Sequence, residues 1–174
     1  MLIPVEKIGP KGLELSLFLM VNQGRLTEGR TESPVHLKIK LRRKGKAIKA
    51  VGRVKGEIKL VCSRCAEEFP FRINSSFSLD LLPLESLTSG EVELEEKDMD
   101  TAFYRDGILD LDALTADQIN LSIPMKPLCK SNCKGICPVC GANRNKVNCG
   151  HKPESRDPRF SQLKFLLEVK NGTA

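Results

Sequence analysis

The chain has 174 residues, of which 40% are hydrophobic and 29% charged, and its formal net charge is +6. That length suffices for one ordinary domain, or two small ones, with a sizeable core. The balance of apolar and charged residues excludes a disordered or fibrous chain.

The first apolar run, LELSLFLMV, is the longest, yet it is about half the roughly 20 residues a membrane helix needs. Glu14 and Ser16 interrupt it. The N-terminal stretch also lacks the basic and long apolar regions of a signal peptide. The expectation is a cytoplasmic protein in a reducing space, with no membrane partner.

Next comes a basic β region. In VHLKIKL, residues Val35, Leu37, Ile39 and Leu41 alternate with His36, Lys38 and Lys40. A period of two is the pattern of a half-buried strand. RRKGK then supplies a short turn at Gly45. In AIKAVGRVKGEIKLVC one face holds Ile48, Ala50, Val54, Ile58, Leu60 and Cys62, and the other holds Lys49, Arg53, Lys55, Glu57 and Lys59. Gly52 and Gly56 fall on the apolar side, where a bulge or a close backbone contact is expected. FPFRI and SFSLDLL read as two further strands with Asn74 and Ser75 between them, so CSRC lies where one strand ends and the next is entered.

The acidic stretch ESLTSGEVELEEKDMD is too polar for a core and reads as an exposed excursion. YRDGILDL carries an Asp-Gly turn. DLDALTADQINLSIP places Leu111, Leu114 and Leu121 at helical offsets before Pro124, which predicts a short helix. At the end, RDPRFSQLKFLLEVKNG offers Asp157 as N-cap, Pro158 at the first helical position and a stripe of Phe160, Leu163 and Leu167. That pattern predicts a docking C-terminal helix.

Charge is segregated along the chain. Residues 35–72 carry a local +9, residues 80–117 a local −10 and residues 126–170 a local +7. Such segregation points to a polyanion-facing surface and a separate acidic one. Lys38, Lys40, Arg42, Lys49, Arg53, Lys55 and Lys59 form the candidate RNA-phosphate face. A solvated basic face that blocks edge pairing is the competing reading. His36 is expected at the surface. With one tyrosine, no tryptophan and most phenylalanines at core positions, base stacking is not expected. Binding would be phosphate-driven and salt-dependent.

The seven cysteines are Cys62, Cys65, Cys129, Cys133, Cys137, Cys140 and Cys149, and His151 stands two residues after the last. An odd count suits disulfides poorly. Eight donors suit two complete zinc sites, each with four thiolate or imidazole ligands. In a Cys-x-x-Cys turn both sulfurs reach one metal while backbone N–H groups bond back to them. In CPVCG the proline fixes the turn and the glycine tolerates its exit. A local partition groups Cys137, Cys140, Cys149 and His151, and sends Cys129 and Cys133 to Cys62 and Cys65. The rival pairs 62/65 with 137/140 as in a zinc ribbon. Every donor is used in both, so the metal is expected to be structural, Zn²⁺ at two per chain, with no vacancy for substrate. Two such sites would lower the net charge from +6 to about +3. A thiol-redox role fits poorly, because a reactive Cys-x-x-Cys normally opens a helix.

VCSRC after a basic β stretch, DLDALTADQINLSIPMKPLC, CKGICPVCGANRNKVNC and DPRFSQLKFLL together resemble the YceD-like family of large ribosomal RNA subunit accumulation proteins. The resemblance runs over most of the chain. Longer members end the motif Cys-x-Cys, where this chain has His151. Members lacking CPxCG keep the first Cys-x-x-Cys and a later pair near PLCKSNC, which favours the local partition. The resemblance implies a non-enzymatic role in making or stabilising large-subunit ribosomal RNA or its precursor. It transfers no catalytic residue, and the sequence shows no small-molecule substrate site. Separately, the acidic run EVELEEKDMD offers a contact surface for a basic large-subunit ribosomal protein, with a solvated loop as the competing reading.

The expected fold is α+β, a curved antiparallel sheet with a zinc-stabilised C-terminal segment and short helices. Residues 1–90 form the β region, 91–125 the acidic loop and short helix, and 126–174 the Cys-rich segment and terminal helix, tied by zinc into one cooperative unit. A zinc-stabilised protein–protein adaptor that does not touch RNA is the alternative.

Overall fold

The computed structural model describes residues 1–86 and 99–151. The described strands are β1 (Leu2–Pro4), β2 (Leu13–Leu19), β3 (Val35–Lys44), β4 (Ala47–Val61), β5 (Glu68–Pro83), β6 (Thr101–Tyr104) and β7 (Ile108–Asp110), followed by helix α1 (Leu111–Ser122). They belong to a β-rich unit drawn from residues 1–63 and 67–131; residues 64–66 and the chain from 132 form a smaller unit. The fold is mostly β with one helix among the described residues.

The main sheet has the order β2-β3-β4-β5-β6. Its first four strands form an antiparallel meander, and β6 lies parallel beside β5. The expected antiparallel character therefore holds for all but the last pairing. Alternation decides which face is buried. Val35, Leu37, Ile39 and Leu41 on β3 are fully buried, as are Ile48, Ala50, Val54, Ile58 and Leu60 on β4. Each large aliphatic in this set contributes roughly 2 kcal/mol through burial. The intervening lysines and arginines point to water.

One expectation within the sheet is corrected, and one is resolved between its two alternatives. The expected break at Asn74 and Ser75 is absent, because β5 runs unbroken and pairs them with Lys55 and Val54. The period of two passes through Ser75, which occupies a core-side position between Ile73 and Phe77. Nor does β4 bulge at its glycines, since the register against β3 and β5 is continuous there. The glycines serve close approach instead. A Cβ on Gly52 would lie 2.6 Å from Phe77 Cζ and 2.8 Å from the Lys38 carbonyl oxygen, and one on Gly56 would lie 2.6 Å from Val35 Cγ1.

The turn signals act as read. Gly45 (φ +64°) lies between Lys44 and Ala47, which pair across the β3–β4 hairpin. Asp106 (φ +52°) and Gly107 (φ +64°) link β6 to β7, with the Ile108 N–H donating to the Arg105 carbonyl at 2.8 Å. β7 then pairs with β1 rather than with its hairpin neighbour.

Helix α1 starts because the Asp110 carboxylate accepts from the backbone N–H groups of Asp112 (3.0 Å) and Ala113 (3.3 Å). Leu111, Leu114, Ala116 and Ile119 join the core with Ile3, Val5 and Leu109, covering the inner face of the sheet. Leu121, expected on that stripe, is instead 78% exposed in the last turn. Asn120 pins the strand-to-strand excursion after β2, donating to the Arg25 carbonyl and accepting from the Thr27 N–H, both at 3.0 Å. The expected C-terminal helix and most of the acidic run lie outside the described residues.

Candidate metal centres and a basic sheet face

The CSRC turn follows β4 directly. Cys62 donates its backbone N–H to the Glu67 carbonyl (2.9 Å), and Ser63 donates to the Pro127 carbonyl (2.8 Å). The second of these bonds brings the chain just ahead of Cys129 to the turn. The sulfurs of Cys62, Cys65, Cys129 and Cys133 all lie within 4.8 Å of one another. A zinc tetrahedron with Zn–S near 2.3 Å has edges of about 3.8 Å, so the set needs little contraction to close on an ion.

In the smaller unit, Arg64 accepts at its carbonyl from the Ile136 N–H and donates Nη1 to the Cys133 carbonyl, both at 3.1 Å. Asn145 is a contributor that the sequence reading missed. Its Nδ2 donates to Cys133 Sγ at 3.2 Å, while its Oδ1 accepts from the Lys134 N–H at 3.0 Å. A thiolate that receives such a bond is stabilised as the charged form a metal requires. The signal available beforehand was the ANRN run beside the knuckle, but its partner is fixed only by folding.

CPVCG forms the second knuckle. The Cys137 N–H bonds to the Ala142 carbonyl (2.8 Å) and Gly141, at φ +70°, returns an N–H to the Cys137 carbonyl (2.9 Å). Donors of Cys137, Cys140, Cys149 and His151 lie within 4.8 Å of one another. The backbone N–H groups of Cys140 and Val139 aim at the Cys137 sulfur and, against the effect of burial, hold its thiol at about 6 instead of the ordinary 9.0. Cys140 receives the Ala142 N–H, which lowers its pKa, but the sulfurs of Cys137 and Cys149 together with burial outweigh it and raise the thiol. One cysteine primed as thiolate beside others that repel a second negative charge is what a cation would relieve. The local partition is thus the one whose donors converge, and both sets are compatible with two zinc ions. The first set is mostly buried, with only Cys129 partly accessible, whereas Cys140 and His151 of the second are exposed.

The candidate RNA residues sort by register. On the outer face His36 stands opposite Lys55, Lys38 opposite Arg53, and Arg42 opposite Lys49. Lys40, opposite Val51, completes the patch. The acids near it are few: Glu14 approaches Lys40 at 3.6 Å and Lys38 at 3.9 Å, and Asp80 stands opposite Lys49. Lys59 lies apart, beyond Glu57 on the same strand and paired with Glu32 at 2.8 Å. His36 is at the surface, as expected. Phe18 departs from the expectation of core phenylalanines: it is 75% exposed on this same face and stacks on His36, with ring centroids 4.8 Å apart and planes at 26°.

A family model described as "Large ribosomal RNA subunit accumulation protein YceD" matches residues 50–167. The chain belongs to the YceD family. That match takes in all eight donors of the two metal clusters, and most of β4 with Arg53, Lys55 and Lys59. Among relatives, this YceD chain is 30% identical over 158 residues to the chloroplastic large ribosomal RNA subunit accumulation protein YCED homolog 1 of Arabidopsis thaliana, covering 78% of this chain and 49% of the relative. It is 25% identical over 162 residues to an uncharacterized protein of Mycobacterium bovis, covering 93% and 70%. It is 27% identical over 139 residues to the uncharacterized protein YlbN of Bacillus subtilis, covering 78% and 76%. The chain spans about half the length of the plant relatives. No solved structure matches it. No described helix is long and apolar enough to cross a membrane.

Proposed function

We propose that this YceD chain is a zinc-stabilised, non-enzymatic accessory factor for large-subunit ribosomal RNA accumulation, acting in a reducing compartment such as the cytoplasm, and that it holds RNA phosphates on the outer face of β3 and β4. The observation that carries the reading is the pairing of like charges across strands, Lys38 with Arg53 and Arg42 with Lys49. Directly opposed like charges destabilise a sheet, and Glu14 offsets only part of the charge. A polyanion removes that cost.

The two metals, when bound, supply cross-links between distant stretches of chain and no reactive position, since four protein donors surround each. Cys62, Cys65, Cys129 and Cys133 would hold one ion, and Cys137, Cys140, Cys149 and His151 the other. The first would be shared by the turn after β4 and the segment after α1. The acidic residues of the middle of the chain are the candidate contact for a basic large-subunit ribosomal protein.

A second reading, as a protein adaptor, is favoured by an apolar cleft of about 560 Å³ lined by Leu79, Leu81, Phe103, Tyr104, Leu114 and Leu121 among others. Binding of a large-subunit ribosomal RNA fragment by the purified chain, with Lys38, Arg53 and Lys55 together reversed to Glu, separates the two. The proposal expects tight, salt-sensitive binding lost in the triple variant. Binding that is absent in the parent chain, or unchanged by the reversals, leaves the adaptor reading.

A further inference from the structure

We propose that the Phe18–His36 pair is a stacking subsite for one unpaired nucleobase, so that the basic face selects single-stranded RNA over duplex. This rests on the reading of that face as an RNA-phosphate surface.

Phe18 sits on the edge strand β2, and its ring is far more exposed than the 46% of Phe103. An aromatic ring of this size, turned away from a core that Phe77 on β5 joins, gives up the burial that would stabilise the fold. Its place is nonetheless fixed. It stands directly opposite His36 in the β2–β3 register, and the imidazole covers one side of it in a stacked arrangement. Ser16 Oγ and His36 Nε2 are hydrogen-bonded at 2.8 Å, which holds the imidazole plane. The pair is therefore organised before any ligand arrives, and most of the phenyl surface still faces water.

The surrounding charge identifies the occupant. His36 is opposite Lys55, and in the next row Ser16 is opposite Lys38, which is opposite Arg53. His36, Lys38, Arg53 and Lys55 line a depression of about 160 Å³. An apolar ring at the rim of a cationic depression complements a flat, aromatic group that carries an anion on a short tether. A nucleotide has that form. Its base would extend the His36–Phe18 stack, and its phosphate would fall toward Lys38, Arg53 and Lys55. A base paired inside a duplex has its faces covered by neighbours, so only an unpaired one can use the ring. Every base has a π face, so the subsite would discriminate strandedness and not sequence.

The chain contains no tryptophan, so Phe18→Trp places a lone fluorophore at the subsite. The full chain, Phe18→Ala and Phe18→Trp are titrated with an unstructured 12-nucleotide RNA and with a 12-base-pair RNA duplex at several salt concentrations. Stacking on one base predicts that Phe18→Ala weakens single-strand binding by roughly 5- to 100-fold, leaves duplex binding within twofold, and leaves the salt slope unchanged. Phe18→Trp retains single-strand affinity, and its emission is quenched by the single strand but not by the duplex. Equal losses on both RNAs, no loss on the single strand, or a tryptophan unresponsive to it overturns the subsite while the phosphate reading stands. If the parent chain binds neither RNA, both fall. If instead Phe18→Ala abolishes a concentration-dependent self-association, the ring is a protein contact and the subsite is refuted.

Discussion

Adding one methyl group at Gly52 tests whether strand approach beneath the basic face depends on a missing side chain. Gly52 lies between Ile39 of β3 and Phe77 of β5, on the buried side of β4. In Gly52→Ala the new Cβ would sit 2.6 Å from Phe77 Cζ and 2.8 Å from the Lys38 carbonyl oxygen. The aromatic ring can rotate at some cost, but the carbonyl is held in the sheet. Overpacking of this kind costs about 1–3 kcal/mol. Reducing the freedom of the unfolded chain returns about 0.4–1 kcal/mol. The net expectation is a loss of about 1–2 kcal/mol, a fall of about 0.5–1 M in the urea midpoint if the slope is near 2 kcal/mol/M. Gly9→Ala is the control, because no atom lies within 4 Å of its added Cβ and its φ is not positive. It gains only the unfolded-state term, so its midpoint holds or rises. A Gly52→Ala midpoint equal to that of Gly9→Ala would refute the claim that Phe77 and the Lys38 carbonyl set the spacing.

At the helix start, Asp110→Ala removes the cap of α1 and is expected to cost about 1 kcal/mol at pH 7. Burial works against the Asp110 charge, but the Arg25 hydrogen bond and the N–H groups of Ala113 and Asp112 prevail and keep its carboxyl below the ordinary 3.8. Its contribution is therefore present above that value and lost as pH falls below it. Paired denaturation curves of parent and variant should converge only in that acid range; a gap that opens on acidification contradicts the sign. For the metal sites, elemental analysis of chain purified without added metal should give two zinc per chain, falling to one in Cys65→Ser and in Cys140→Ser. A colorimetric chelator should strip the exposed 137/140/149/151 set before the buried one. Zinc loss from that set should accelerate on acidification, because a thiolate donor that takes up a proton gives up the ion. Release of both ions in a single phase at all pH values would show that the sites are not independent.

Much of the fold follows from local rules that act along one strand or one turn. Alternation alone sorts Val35, Leu37, Ile39 and Leu41 from Lys38, Lys40 and Arg42, since successive side chains of a strand point to opposite faces. Donor chemistry likewise counts eight ligands for two sites, and a Cys-x-x-Cys turn brings its own two sulfurs together, but two partitions fit the spacing until the folded donors converge. What a single strand cannot show is its neighbour. Asn74 and Ser75 read as a break until pairing with Lys55 and Val54 supplies their backbone partners. Lys59 reads as part of the basic face until Glu32 arrives from another segment. Asn145 becomes a partner of Cys133 only through the folded knuckle.

Phe18 shows the division most clearly. Its place in an alternating run puts it opposite in direction to Leu17 and Leu19, a period of two that is passed over when LELSLFLMV is read as one apolar run. The sequence by itself determined the strand, the outward face and the eight donors, because each depends on residues that are near in the chain. Only the tertiary structure placed the ring against His36 and beside Lys55 and Arg53. That arrangement is set by cross-strand register, which is a property of pairs of strands.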